Sequence, residues 1–204
     1  AGEQDHDSNA TTACVACVQG RYSALGSYSL ASTGTVGCIS CKAGYADLDG
    51  PSTPCTVCPS GRYSGVGATS CTPCAAGRYD NDTTVVSPSS STPCVSCDVG
   101  YYAPQGAVVC THCPAGYHDN DQDPSTPCDG DAGKCRPGTY SGAASGGCTA
   151  CAAGRYDHDS NPATACEACV AGTVAGINAT SCSPCVAGRA DIDSSPATPC
   201  ARCV

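Results

Sequence analysis

Twenty of the 22 cysteines in this chain fall in ten Cys-x-x-Cys pairs, a spacing that serves redox exchange, zinc binding or structural cross-linking. A redox pair needs a low-pKa cysteine at a helix start within a βαβ unit, and no such context surrounds any of the ten. Two pairs separated by one gap match the spacing of a four-cysteine zinc site. Against zinc stand the net charge of -9 and the step from Cys128 to Cys135, where six residues replace two. A metal knuckle would not tolerate that insertion, whereas a link between two independent loops would. A second candidate chemistry lies in six Asp-x-Asp pairs: Asp5 and Asp7, Asp47 and Asp49, Asp80 and Asp82, Asp119 and Asp121, Asp157 and Asp159, Asp191 and Asp193. Hard oxygen ligands at alternate positions of a tight turn suit Ca²⁺, although the glycine and terminal glutamate of an EF-hand loop are missing. The plainer reading is that these aspartates form Asx-turns on a solvated surface. His6, His118 and His158 lie near them, but no nucleophile stands with a base, so no enzyme is expected and no cofactor is required.

Spacing ranks the possible disulfides without fixing them. Pairing across each long gap gives Cys17–Cys38, Cys41–Cys55, Cys58–Cys71, Cys74–Cys94, Cys97–Cys110, Cys113–Cys128, Cys135–Cys148, Cys151–Cys166, Cys169–Cys182 and Cys185–Cys200. Only Cys14 and Cys203 are left over. Pairing one-three and two-four within successive groups of four is the alternative, and it strands Cys200 with Cys203. Cys203 and Val204 followed by Ala1 and Gly2 read CVAG, the letters that open loops at Cys169 and Cys185. Carried on to Cys14, that composite loop holds 14 residues between its cysteines, as do Cys113–Cys128, Cys151–Cys166 and Cys185–Cys200. The expectation is that Cys203 pairs with Cys14 of the next copy, the 204 residues being one period of a tandem polypeptide or of a head-to-tail stack.

The elements that position these residues are small. Val, Ile and Leu make up about a tenth of the chain and Phe, Trp and Met are absent, so no conventional core is available. Disulfides closing short loops stand in for it, each worth roughly 3 kcal/mol in the chain-entropy model. Every long gap places a glycine three residues after its opening cysteine: Gly20, Gly44, Gly61, Gly77, Gly100, Gly116, Gly138, Gly154, Gly172 and Gly188. A glycine at a fixed offset marks the same tight turn in each loop. A tyrosine follows within two residues at Tyr22, Tyr45, Tyr63, Tyr79, Tyr102, Tyr117, Tyr140 and Tyr156, and reads as a lid over its own disulfide. Gly/Ser-rich loops alternate with Asp-x-Asp loops. The fold class expected is a small disulfide-rich repeat protein, an elongated rod or solenoid of short loops with minimal β-structure and essentially no helix. Residues 1–204 form one tandem array of about eleven stapled loops, the first completed by the C-terminus of a preceding copy.

Cysteine density of this order belongs to oxidising compartments, so the chain is expected outside the cell or at its surface. Without an initiator Met or an apolar leader it reads as a processed or excerpted segment, and no apolar run is long enough to span a membrane. Nine scattered Lys and Arg form no basic patch for nucleic acid. Sequons at Asn9, Asn81 and Asn178 suit N-glycans. Runs at Ser52, Thr53, Pro54, at Ser87, Pro88, Ser89, Ser90, Ser91, Thr92, Pro93, and at Ser125, Thr126, Pro127 are candidates for O-linked sugars on Ser, Thr or hydroxylated Pro.

The motif CxxGxY…C with Cys-x-x-Cys between loops resembles the cysteine-rich repeats of ephrin-receptor-like and tumour-necrosis-factor-receptor-like modules. AGRYDHDSNPATAC (residues 153–166) and SGVGATSCTPC (residues 64–74) are similar to long tandem arrays in surface proteins of algae and other protists, among them mastigoneme shafts and ciliate or diplomonad surface antigens. That resemblance implies elongated, non-enzymatic modules. The three-disulfide pattern of receptor modules is missing, so their ligand binding does not carry over. The functional expectation is a structural subunit of an extracellular glycosylated filament or flagellar hair, partnered by copies of itself; the alternative is the ectodomain of an adhesin, variable antigen or receptor.

Overall fold

The computed structural model describes residues 3–4, 11, 13–23, 37–81 and 93–203. Ala1, Gly2, Asp5, His6, Asp7, Asn9, Asp82, Ser87, Pro88, Ser89, Ser90, Ser91, Thr92 and Val204 lie outside the described residues.

Each loop starts from its glycine. All ten glycines at the third position after an opening cysteine have φ between 79° and 86°, the left-handed conformation that only glycine adopts without strain. The turn delivers the chain into a two-residue strand, and in nine hairpins that strand pairs antiparallel with the two middle residues of the next Cys-x-x-Cys. Arg155–Tyr156 thus pairs with Glu167–Ala168, in the register Arg155↔Ala168 and Tyr156↔Glu167. The hairpin Glu3–Gln4 with Val15–Ala16 has the same register, Glu3↔Ala16 and Gln4↔Val15, around Cys14 and Cys17. The Cys-x-x-Cys spacing therefore has a geometric meaning. Its two middle residues are a strand, and its two cysteines close different loops.

The ten disulfides observed are Cys17–Cys38, Cys41–Cys55, Cys58–Cys71, Cys74–Cys94, Cys97–Cys110, Cys113–Cys128, Cys135–Cys148, Cys151–Cys166, Cys169–Cys182 and Cys185–Cys200. The opening-glycine carbonyl accepts from the N–H of the next loop's opening cysteine, as from Cys41 to Gly20, Cys151 to Gly138 and Cys203 to Gly188. At the insertion the same bond skips ahead to Cys135, whose N–H donates to Gly116 at 2.9 Å. The extra residues make one helical turn, Gly130–Gly133, and Lys134 bridges Tyr117 in place of a full strand pair. That turn is the only helix among the described residues, and none is long and apolar enough to cross a membrane.

The chain divides into two compact units, Ala1–Ser96 with Pro104–Val109, and Cys97–Ala103 with Cys110–Val204. Both are built the same way inside. Cysteines form most of the buried apolar set, joined by Ala46, Ala103 and Ala175. Of the described Val, Ile and Leu residues, all but Val174 are exposed, Ile192 by 76% and Val66 by 74%. Interior space between such closely spaced backbones admits only sulfur and small side chains, so the aliphatics are placed outside. The described tyrosines are half-buried, all but the bridging Tyr117 on strands.

Candidate functional site

The positions that recur from loop to loop carry the chain's polar chemistry, and the sixth residue after each opening cysteine is the most constrained of them. It is Ser23, Asp47, Ser64, Asp80, Ala103, Asp119, Ser141, Asp157 or Ala175, buried in every case, and the half-buried Asp191. A buried polar side chain must be hydrogen-bonded, and these residues bond backward to the loop before. In the first unit the Gly20 N–H donates to Asp47 Oδ2 at 3.0 Å and the Gly61 N–H to Asp80 Oδ2 at 2.9 Å. In the second, Gly100, Gly138 and Gly172 donate to Oδ2 of Asp119, Asp157 and Asp191 at 3.2, 3.1 and 3.0 Å. The serines do the complementary task. Their hydroxyls donate to the main-chain carbonyl four residues after the previous opening cysteine: Ser64 to Tyr45 at 2.9 Å and Ser141 to Tyr117 at 2.8 Å. Ser23 makes the same bond to Glu3 at 2.9 Å, so Glu3 stands where a tyrosine stands elsewhere.

In the pairs Asp119 and Asp121, Asp157 and Asp159, and Asp191 and Asp193, the two aspartates consequently have separate duties. The first faces inward and fastens neighbouring loops; the second faces solvent and caps its own turn. Asp121 Oδ1 accepts from the Asp123 N–H, Asp159 Oδ1 from Asn161 and Asp193 Oδ1 from Ser195, each at 3.0 Å. Thr126, Thr164 and Thr198 add their hydroxyl protons to the same three carboxylates at 2.8–3.2 Å. The Asp123 and Asn161 N–H groups, followed by the Thr126 and Thr164 hydroxyls, hold Asp121 and Asp159 below the ordinary carboxylate value of 3.8. For Asp193 the Thr198 hydroxyl leads and the Ser195 N–H follows. Gln122, Ser160 and Ser194, the next residues, take φ between 54° and 57°, the left-handed step of an Asx-turn. In the loop one residue shorter, Gly50 holds that place beside the exposed Asp49. In Asp121, Asp159 and Asp193 the carboxylate lone pairs that Ca²⁺ would use are shared with backbone and threonine donors. Asp47 Oδ1 is buried with no hydrogen-bond partner.

Among the described residues one group of three metal-type side chains converges, His118 with Cys135 and Cys148, and its two sulfurs are joined to each other. Cys14 and Cys203 are exposed and unpaired. Asn81 and Asn178 are exposed, Asn178 at φ 61° with its N–H donating to the Cys151 carbonyl at 2.9 Å. Ser52, Thr53, Pro54, Pro93, Ser125, Thr126 and Pro127 are exposed as well. The Thr126 hydroxyl is committed to Asp121 and the Thr53 hydroxyl to the Gly50 carbonyl at 3.1 Å, protons that an O-linked sugar would remove.

Two recurring roles escape a reading of the sequence. An arginine directly follows the glycine in five loops, and Arg62, Arg78, Arg155 and Arg189 each send Nη1 to the carbonyl of the loop's own closing cysteine at 2.9–3.0 Å. The other is contact with the next loop but one. A Cβ on Gly20 would collide with the Gly67 carbonyl, on Gly61 with Gly106, and on Gly138 with Asn178. The fixed glycine offset signalled a turn, but the partner two loops away left no local mark.

No protein-family model matches the chain, and no curated protein sequence matches it.

Proposed function

We propose that this chain is a structural element of an extracellular fibre, a glycosylated filament or flagellar-hair shaft built by head-to-tail repetition of stapled loops. The observation that carries the reading is the first hairpin. Glu3–Gln4 and Val15–Ala16 hold the register of a complete loop, Ser23 binds Glu3 as later serines bind tyrosines, yet its closing Cys14 is unpaired and exposed. Cys203, equally exposed, opens with Val204 the letters that Ala1 and Gly2 continue. Cys203 of one copy completes the loop that ends at Cys14 of the next. Ten disulfides suit an oxidising, extracellular setting, and the repeated two-strand stapled module is consistent with cysteine-rich repeats. Exposed Asn81 and Asn178 are available for glycans.

Electrophoresis of native protein without reductant tests the proposal: a ladder of multiples is expected, collapsing to one band with reductant and abolished by Cys203→Ser. Copies joined by peptide bonds would instead leave one very long chain after reduction. The second reading, ectodomain of an adhesin, variable antigen or receptor, draws on the exposed Val18, Val66, Val170, Ile177, Val186 and Ile192, apolar side chains free to meet another protein. A monomer with and without reductant is its signature.

A further inference from the structure

The six-residue link that replaces the two middle residues of a Cys-x-x-Cys builds something found beside no other described loop. Its Gly133 carbonyl accepts from the His118 backbone N–H at 2.8 Å and lies 2.9 Å from His118 Nδ1. A carbonyl can only accept, so Nδ1 carries a proton. The same Nδ1–H lies 3.2 Å from Cys148 Sγ, and Nδ1, Cys135 Sγ and Cys148 Sγ all fall within 4.8 Å of one another. A carbonyl orients an imidazole, and the imidazole presents an N–H to one sulfur of a disulfide. A donor on a sulfur stabilises the thiolate that departs when the bond is cleaved, and a better leaving thiolate speeds exchange.

We propose that Cys135–Cys148 is a thiol-exchange site of this chain, a disulfide that an external dithiol opens faster than its structural counterpart Cys58–Cys71. One thiolate of the dithiol attacks Cys135 Sγ; the S–S bond breaks and its electron pair leaves on Cys148 Sγ, which Nδ1–H stabilises until water protonates it. The second thiol then displaces Cys135 from the mixed disulfide. Two electrons and two protons have passed to the protein, and the dithiol leaves as its cyclic disulfide. Cleavage frees the loop that follows the insertion while the other disulfides stay closed, so the site offers a place for controlled modification.

Cys58–Cys71 is a matched control. It has the same sequence separation of 13, a buried first cysteine (6% exposed against 5% for Cys135) and a half-buried second. Neither its loop nor the one before contains a histidine. The experiment treats the full native chain with limiting dithiothreitol, quenches with iodoacetamide at intervals, and maps the alkylated cysteines. Cys135 and Cys148 are expected to be labelled about threefold faster or more than Cys58 and Cys71, because a leaving thiolate held by a hydrogen bond departs faster. His118→Phe should bring the two rates together. Equal rates in the unmodified chain overturn the proposal, and so does an advantage that survives in His118→Phe. Unreduced mapping of the variant's other disulfides verifies its fold, and the comparison within the unmodified chain stands without it.

Discussion

The loops Cys151–Cys166 and Cys169–Cys182 are neighbours with the same opening glycine, the same hairpin and the same staple, yet they solve one problem in opposite ways. Each opening glycine turns its N–H toward the following loop. Gly138 meets Asp157 there and gives its proton to a carboxylate, whereas Gly154 meets Ala175 and gives its proton to a main-chain carbonyl at 2.8 Å. The alternation of loop types is therefore an alternation of acceptors. An aspartate is needed where the backbone oxygen is not aimed at the glycine, and a small Ser or Ala suffices where it is. The glycine N–H is the constant, and both loop types exist to satisfy it.

Four variants test this contrast, beginning with the largest expected effect. Removing the staple from the first loop, with Cys151→Ser and Cys166→Ser together, should lower stability by about 2–5 kcal/mol in chemical denaturation. Gly138→Ala should cost about 2 kcal/mol or more, because its Cβ meets the Asn178 carbonyl and its φ is 80°. Gly172→Ala, at φ 83° with nothing within 4 Å, should cost only the conformational term of about 1–2 kcal/mol. Equality of the two glycine variants would remove the close approach between alternate loops from the account. Asp157→Ala should cost about 1–3 kcal/mol by stranding the Gly138 N–H, and amide exchange at Gly138 should accelerate while Gly154 is unaffected. An unchanged Gly138 exchange rate would mean that the carboxylate is not its acceptor.

The smallest effect is electrostatic. Asp121, Asp159 and Asp193 have folded values depressed below 3.8, so their contribution is present above that value and is lost as pH falls through the folded value. Thr198→Val removes the leading cause of the shift at Asp193. An NMR titration of the carboxyl carbons should then show Asp193 moving up toward 3.8, with Asp121 and Asp159 unmoved.

The hairpin class and the stapled loops were legible in the sequence because cysteine spacing and the glycine offset are local: Cys58, Gly61 and Cys71 define a loop without reference to anything beyond it. The Asp-x-Asp motif was legible as a pattern but not as two duties. Asp157 and Asp159 look alike in sequence, and only the neighbouring loop decides that one is interior and the other a turn cap. A clue did exist. Asp157 shares its offset with Ser141 and Ala175, both small, which marks a confined position; Asp159 shares its own with Ala143 and Ile177, which differ in size. His118 gave no hint of meeting Cys148, since the approach depends on where the six-residue link between Cys128 and Cys135 sets one carbonyl.

Outward-facing Val and Ile have a thermodynamic consequence. Unfolding raises the heat capacity chiefly by wetting apolar surface, and here most aliphatic surface is already wet in the native state. The curve of free energy against temperature should be shallow, without the pronounced maximum of an oil-filled domain and without its decline on cooling. A scaffold of this kind keeps nearly constant rigidity between cold and warm water.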